Sequence, residues 1–327
     1  MYTIKELQKL ISEDINSEII RLNTIEPKNL YEPIAYTLAM GGKRLRPVMV
    51  LLACNLFTEN IEKALHAALA IEVFHNFTLL HDDIMDHADM RRNSPTVHIK
   101  YNENIAILSG DAMSIIAYNY LLKSETQNLS GLIGLFTQTA LEVCEGQQLD
   151  MDFETRKDVS IPEYLNMIRL KTSVLLACSL KMGALAANAP ERAADLLYVF
   201  GLDLGIAFQL QDDLLDVFAD QEKFGKRIGG DIVSNKKTFL LLKALELSDD
   251  QTKNELLKWI DRKEFQPQEK IEAVKLIYSK LNIKEITEKG IDEFYQSALN
   301  VLQEIDLAKE TKEELLLLAN MIMNRDH

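Results

Sequence analysis

The pattern Asp-Asp-x-x-Asp occurs twice in this chain of 327 residues, as Asp82-Asp83-Ile84-Met85-Asp86 and as Asp212-Asp213-Leu214-Leu215-Asp216. Each copy ends an apolar run of helical spacing, with Leu79-Leu80-His81 before the first and Phe208-Gln209-Leu210-Gln211 before the second. Carboxylates so placed must find cations or lose their charge, because an unpaired ionised group in a low-dielectric site is strongly disfavoured. A helical step of about 100° per residue sets the first and last Asp of each motif only about 40° apart, with the middle Asp about 100° round. One face therefore offers two oxygen ligands, which suits Mg2+ completed by waters and substrate phosphates. No soft-metal set competes. A single acidic cluster reads equally well as a solvated helix face, but two copies in apolar surroundings argue for bound cations.

Glycine and proline decide the class. With only 13 Gly and 7 Pro, and with Pro27, Pro33, Pro47, Pro95, Pro162, Pro190 and Pro267 read as boundaries between periodic stretches, the chain has few places to turn. Apolar residues recur at three and four spacing near residues 61–86, 131–154, 161–188, 191–219 and 268–304, and alternating strand-like runs are absent. The chain reads as all-α, a single domain over residues 1–327. No run reaches the roughly 18 uninterrupted apolar residues of a membrane span, and Met1 to Leu22 is a charged amphipathic pattern, not a signal peptide. Cys54, Cys144 and Cys178 lack metal-ligand spacing and lie in apolar helical contexts, which points to core-filling thiols in a reducing compartment, the cytoplasm. A net charge of -14 opposes nucleic-acid binding.

The positive charges are clustered. Gly41-Gly42-Lys43-Arg44-Leu45-Arg46-Pro47 joins two glycines, which allow close backbone approach, to three cations at a helix start with no acid nearby in sequence. That is an anion cradle or an ordinary basic helix start. It lacks the glycine spacing of a nucleotide P-loop. Arg91-Arg92 follows the first acidic motif before the Asn93-Ser94-Pro95 turn, as a phosphate clamp or a solvated pair. Lys226 and Lys236 flank Gly229-Gly230-Asp231 after the second motif. A diphosphate held between metal and these cations accounts for both sets. His75 and Thr78 share the face of Asp82, His75 being either a core histidine or a phosphate donor; Gly205 and Gln209 share the second acidic face, where a glycine leaves room for substrate.

Gly41 to Pro47, Leu80 to Asp86 with Arg91-Arg92, Gly146-Gln147 with Asp150, Lys171-Thr172, Phe208 to Asp216, and Gly225-Lys226 through Lys236 together resemble the all-trans polyprenyl (farnesyl/geranylgeranyl) diphosphate synthase family. The resemblance implies a helical bundle of the isoprenoid synthase type around a deep central cavity, a homodimer, and three Mg2+ ions bridging an allylic diphosphate to both acidic motifs. It makes Asp82, Asp86 and Asp212 the principal metal ligands, with Asp83, Asp213 and Asp216 close by. It assigns Lys171, Thr172, Gln209, Lys226, Lys236 and Arg91 to the allylic diphosphate (dimethylallyl, geranyl or farnesyl), and Lys43, Arg46, His75 and Arg92 to isopentenyl diphosphate.

In that family, bulky residues at the fifth and fourth positions before the first acidic motif limit product length; here they are Phe77 and Thr78. A Phe-Thr pair with no two-residue insertion in the motif resembles the archaeal geranylgeranyl type, so C20 is favoured over C15. An ideal helix sets Phe77 about 140° from Asp82 and Phe74 about 80° away, so either the helix bends or Phe74 shares the role. The rivals are weaker. A terpene cyclase uses a different second metal motif and needs no isopentenyl-binding segment, and a non-catalytic partner subunit is at odds with two intact acidic motifs.

Overall fold

The computed structural model describes residues 1–219 and 229–324. It is helical almost throughout: α1 (Ile4–Leu22), α2 (Lys28–Ala39), α3 (Leu45–Asn55), a 3-10 turn (Ile61–Ala64), α4 (Leu65–Met85), α5 (Val97–Lys100), α6 (Glu103–Leu121), α7 (Leu129–Thr155), α8 (Ile161–Ile168), a π turn (Arg169–Ser173), α9 (Val174–Ala186) and α10 (Glu191–Phe218). Beyond the undescribed stretch come α11 (Gly230–Ser234), α12 (Phe239–Leu247), α13 (Asp250–Asp261), α14 (Pro267–Lys280), α15 (Ile283–Gln303) and α16 (Lys309–Met323). The two-residue strands β1 (Met90–Arg91) and β2 (Ser94–Pro95) form one antiparallel hairpin.

Local chemistry sets the helix starts. Thr3 with Glu6 and Ser160 with Glu163 form reciprocal capping boxes, and Asn102, Thr238 and Asp249 each accept a backbone N–H at their helix N-termini. The periodic stretch 268–304 is two helices, broken at Leu281 and Asn282, where Asn282 takes a φ of 53°. Pro33 departs from its expected place: it lies inside α2 and not at a boundary.

Contacts divide the chain into two compact units. The first comprises residues 1–138, 178–198 and 305–316, with Leu7, Ile11, Ile34, Leu38, Met49, Leu51 and Phe136 fully buried in it; α4 packs along α6 and against α3. The second comprises residues 139–177, 199–304 and 317–327, with a core built on Phe153, Tyr164, Met167, Leu210, Leu240, Ile277 and Tyr278. Cys54 and Cys178 are buried as expected, but Cys144 is exposed, because its helix turns that position outward. Among the described residues one helix, α10, is long and apolar enough to cross a membrane, yet half of its apolar window is buried and Asp203, Asp212, Asp213 and Asp216 ride on it. It is a core helix.

Candidate active site

In the first unit, α4 delivers the first acidic motif at its C-terminal end, with Asp86 as the cap. The helix wheel holds. Asp83, 4% exposed, turns inward, whereas Asp82 is half-buried and Asp86 exposed. Asp83 accepts from Arg91 Nε at 2.7 Å and pairs with Arg91 Nη2 at 2.7 Å; the same guanidinium lies 4.0 Å from Asp82. Burial works against the charge of Arg91, but Asp83, Asp82 and Asp86 outweigh it and the pKa rises. The hairpin brings this about. Arg92 and Asn93 both take positive φ, 50° and 61°, the conformation of a two-residue hairpin turn. That turn carries Arg91 back to Asp83 and lets Arg92 donate to the Gly41 carbonyl. Arg91 is thereby half-buried, whereas Arg92 stays exposed.

The same return completes the basic loop. Gly42 takes a φ of 128°, a backbone conformation that L side chains rarely adopt, and it packs directly against the Arg92 guanidinium. The apparent lack of an acid is corrected by tertiary structure: Arg44, left-handed at φ 50°, buries its guanidinium against the buried Glu72 of α4 and donates to the Leu38 carbonyl at 2.5 Å. Glu72 also accepts from Asn76 Nδ2 at 2.8 Å. Arg46 Nη1 lies 3.1 Å from His75 Nε2. Arginine can only donate, so Nε2 accepts and the imidazole is neutral. Burial, then Arg46, Arg92, Arg91 and Arg44, hold the His75 pKa well below its usual range. Four guanidinium groups thus act on one neutral imidazole, two of them, Arg44 and Arg91, already paired with carboxylates. Lys43 stands exposed on the same loop.

Behind Asp82, aromatic rings form a column. Phe77 contacts His81 at 4.8 Å and Phe74 at 5.3 Å between centroids; Phe74 meets Phe136 at 5.0 Å, and Phe136 meets Tyr118 at 5.0 Å. Phe74 and Phe77 therefore pack against one another. Thr78 bonds back to the His75 carbonyl at 2.8 Å.

In the second unit, α10 carries the second motif, and again the middle carboxylate is inward. Asp213, 2% exposed, accepts from the Tyr164 hydroxyl and from Gln209 Nε2 at 3.2 Å. Burial pushes its pKa up to about 6, against the pull of Lys236 and these hydrogen bonds. Asp212 is exposed, and Asp216 accepts the Asp231 N–H at 3.0 Å. Burial raises Asp231 to about 7. Thr172 donates to Gln209 Oε1 at 3.2 Å, and Lys171 donates to Asp150 at 2.6 Å. Lys171 and Thr172 sit in the π turn, where a Cβ on Gly146 would come within 2.3 Å of the Lys171 nitrogen. Gly205 does not make room for substrate: its Cβ would strike Ser173 at 2.6 Å, so it serves helix packing. Lys236, 3.9 Å from Asp231, is opposed by burial but held charged by Asp231, Asp213, Asp150 and Asp212, which raise its pKa. Lys226 lies outside the described residues.

A family model described as polyprenyl synthetase matches residues 27–277, well over half of the chain. The chain belongs to the polyprenyl synthetase family. It is thereby a prenyltransferase of the all-α isoprenoid synthase fold. It is 44% identical over 227 residues to the geranylgeranyl diphosphate synthase of Methanosarcina mazei, covering 69% of this chain and 70% of that one. It is 38% identical over 266 residues to the geranylfarnesyl diphosphate synthase of Natronomonas pharaonis, covering 76% and 77%. A crystal structure of a geranylgeranyl pyrophosphate synthase superposes with a TM-score of 0.93 at 46% identity, covering 100% of both chains.

Membership of this polyprenyl synthetase family carries dependence on a divalent metal. Among the described residues no group of three or more His, Cys, Asp or Glu is placed to hold an ion unaided. The donor set still fits a hard cation. Asp82 and Asp86 on α4, and Asp212 on α10, are carboxylate oxygen donors of the kind that leave most of an Mg2+ shell to phosphate and water. Glu72, Asn76, Tyr164, Asp231 and Lys270 were not legible as functional. Glu72 had one signal, an acid three residues before His75 in an otherwise apolar stretch.

Proposed function

We propose that this prenyltransferase is a short-chain all-trans prenyl diphosphate synthase that joins isopentenyl diphosphate head-to-tail to an allylic diphosphate, with geranylgeranyl diphosphate (C20) as its product. The observation that carries the reading is the cationic cradle around His75. A cyclase, which ionises one diphosphate only, has no use for a second anion site on the same helix as its acidic motif.

Lys43, Arg46, His75 and Arg92 hold isopentenyl diphosphate; Lys171, Thr172, Gln209, Lys226, Lys236 and Arg91 hold the allylic diphosphate. Asp82, Asp86 and Asp212 would hold three Mg2+ ions, with Asp83, Asp213 and Asp216 supporting them, and the ions would stabilise negative charge on a departing pyrophosphate. Lys171 and Lys236 add fixed positive charge at the same leaving group. The allylic C–O bond breaks, the isopentenyl double bond attacks the resulting cation, and a proton is lost to a pyrophosphate oxygen. No side-chain base is required. The apolar wall excludes water, which would quench the cation to an alcohol. The aromatic column of Phe77, Phe74, Phe136 and Tyr118 forms the floor that stops growth.

The whole chain acts as one catalytic domain, in the cytoplasm, as a homodimer. What supports the dimer is a stripe at heptad spacing on and just past α6: Leu108, Ile115 and Leu122, each 59% exposed or more, fit a second copy of the same helix. The direct test is incubation with isopentenyl diphosphate, Mg2+ and each allylic starter, then sizing of the dephosphorylated products. C20 is expected. A C15 product moves the floor, and cyclic or absent products defeat the reading.

A further inference from the structure

Lys236 is carried by a short strap that the second unit ties at both ends. At its start, Gly229, left-handed at φ 82°, donates its N–H to the Asp216 carbonyl at 2.7 Å, and the Asp231 N–H bonds the Asp216 side chain. At its end, Asn235 is left-handed at φ 58° and its side chain is used twice. Nδ2 donates to the Ile260 carbonyl at 3.1 Å, and Oδ1 accepts from Lys270 Nζ at 2.7 Å. The same ammonium donates to the Val233 carbonyl at 3.2 Å and lies 4.4 Å over the Phe265 ring.

Lys270, on α14, is 1% exposed, and among the described residues no carboxylate pairs with it. Burial lowers its pKa. An ammonium buried without a counter-ion is a poor way to stabilise a core, since an apolar side chain of similar volume is often neutral or better. What it supplies is geometry. Its donors fix Val233 and Asn235, and Asn235 leads directly into Lys236, whose own N–H is tied to the Asp231 carbonyl at 3.0 Å. A void of about 10 Å³ touches Asp231, Asn235, Lys236, Lys270 and Tyr278, so clamp and strap are contiguous.

We propose that Lys270 is a positioning residue: it locks the strap through Val233 and Asn235 so that the Lys236 ammonium is presented to the allylic diphosphate. This rests on the assignment of Lys236 to that diphosphate. Two variants test it, Lys270→Met, which keeps volume but loses the donors, and Asn235→Gly, which keeps the left-handed backbone but loses the acceptor. Three readouts are needed: melting temperature, KM for each substrate, and amide hydrogen exchange of residues 231–236 in metal-free protein.

Lys270→Met should melt no lower than wild type, while KM for the allylic diphosphate rises about tenfold, equivalent to roughly 1.4 kcal/mol of binding. KM for isopentenyl diphosphate should stay within about twofold, and the Asn235 and Lys236 amides should exchange at least about tenfold faster. Asn235→Gly should repeat the pattern, and the double variant should be no worse than the worse single one, as for two members of one contact. A fall in melting temperature with both KM values rising alike, or unchanged exchange, overturns the proposal. Wild-type protein that condenses neither substrate defeats the enzymatic reading instead; the exchange rates still decide whether Lys270 holds the strap.

Discussion

Glu72→Met should be among the most damaging single changes outside the acidic motifs, although Glu72 has no assigned part in the chemistry. The substitution leaves the Arg44 guanidinium buried, with the Leu38 carbonyl as its remaining hydrogen-bond acceptor. Removing one member of a buried ion pair typically destabilises by about 3–5 kcal/mol, because the survivor keeps its desolvation penalty without its partner. An unfolding entropy of about 2.1 cal/mol/K per residue, over 327 residues, gives roughly 0.7 kcal/mol per degree, hence a fall of about 4–7 °C in a cooperative melt. The double variant Glu72→Met/Arg44→Met removes both charges, and Met bears the left-handed backbone of position 44 as Arg does, so most of the loss should return. Calorimetry on the two single variants and the double supplies the coupling energy. Because Arg44 anchors the loop carrying Lys43 and Arg46, the single variant should also raise KM for isopentenyl diphosphate. A single variant within about 1 °C of wild type, or a double variant that loses the sum of the two singles, would refute the reasoning.

Asp82→Ala or Asp212→Ala should lower turnover by orders of magnitude with helical circular dichroism intact; near-normal activity would remove these residues from the metal set. Phe77→Ala, and more so Phe77→Ala with Phe74→Ala, should lengthen products, and an unchanged product spectrum would put the floor on α6 near Ser109 to Ile116. In metal-free protein, the Asp213 carboxyl, raised by burial to about 6, is protonated in the fold at pH values where the unfolded chain has already lost the proton, near 3.9. Its contribution is therefore full below about pH 4 and is lost as pH rises through 6, by at most about 3 kcal/mol. Wild type should lose melting temperature between about pH 4 and 6 relative to Asp213→Asn, with no further divergence above that, and a parallel pair of curves would contradict this. Leu108→Glu with Ile115→Glu should halve the mass seen by light scattering if α6 faces a second copy; an unaltered mass would clear that face.

The fold class was legible because it rests on periodicity. Apolar spacing placed α7 and α10 nearly to their ends, though it ran α8, the π turn and α9 together as one stretch, and the scarcity of Gly and Pro left little room for sheet. The acidic motifs were legible as well, including the divergence of the middle Asp from the outer two, because a local helical angle fixes it; which of them turns inward was not. What escaped were partners distant in sequence. Arg44 looked unanswered because Glu72 is 28 residues away. Tyr164 was invisible because its hydroxyl reaches Asp213 across 49 positions. Gly205 misled for the same reason: a missing side chain on a functional face resembles space for substrate, and only the neighbouring Ser173 shows that the space is filled. Composition reveals that a helix is apolar on a face, not what that face meets.

The two acidic motifs solve one mechanical problem with different chemistry. Each lies at or near the end of its helix, where the last turn frays most readily because its carbonyls lack intrahelical partners. Carboxylates that must share a cation need a fixed azimuth, and mutual repulsion would roll or unwind that turn. In both copies the middle Asp supplies the anchor, since it points about 100° away from the outer two. Asp83 is held by an ion pair to Arg91, reached through the hairpin. Asp213 is held by hydrogen bonds from Tyr164 and Gln209, and Gln209 lies one turn back on the same helix. An ion pair anchors Asp83 beside Asp82; neutral donors hold Asp213, whose carboxyl burial raises to about 6. The two anchors therefore differ in kind: a cationic partner fixes the first motif, and neutral donors fix the second.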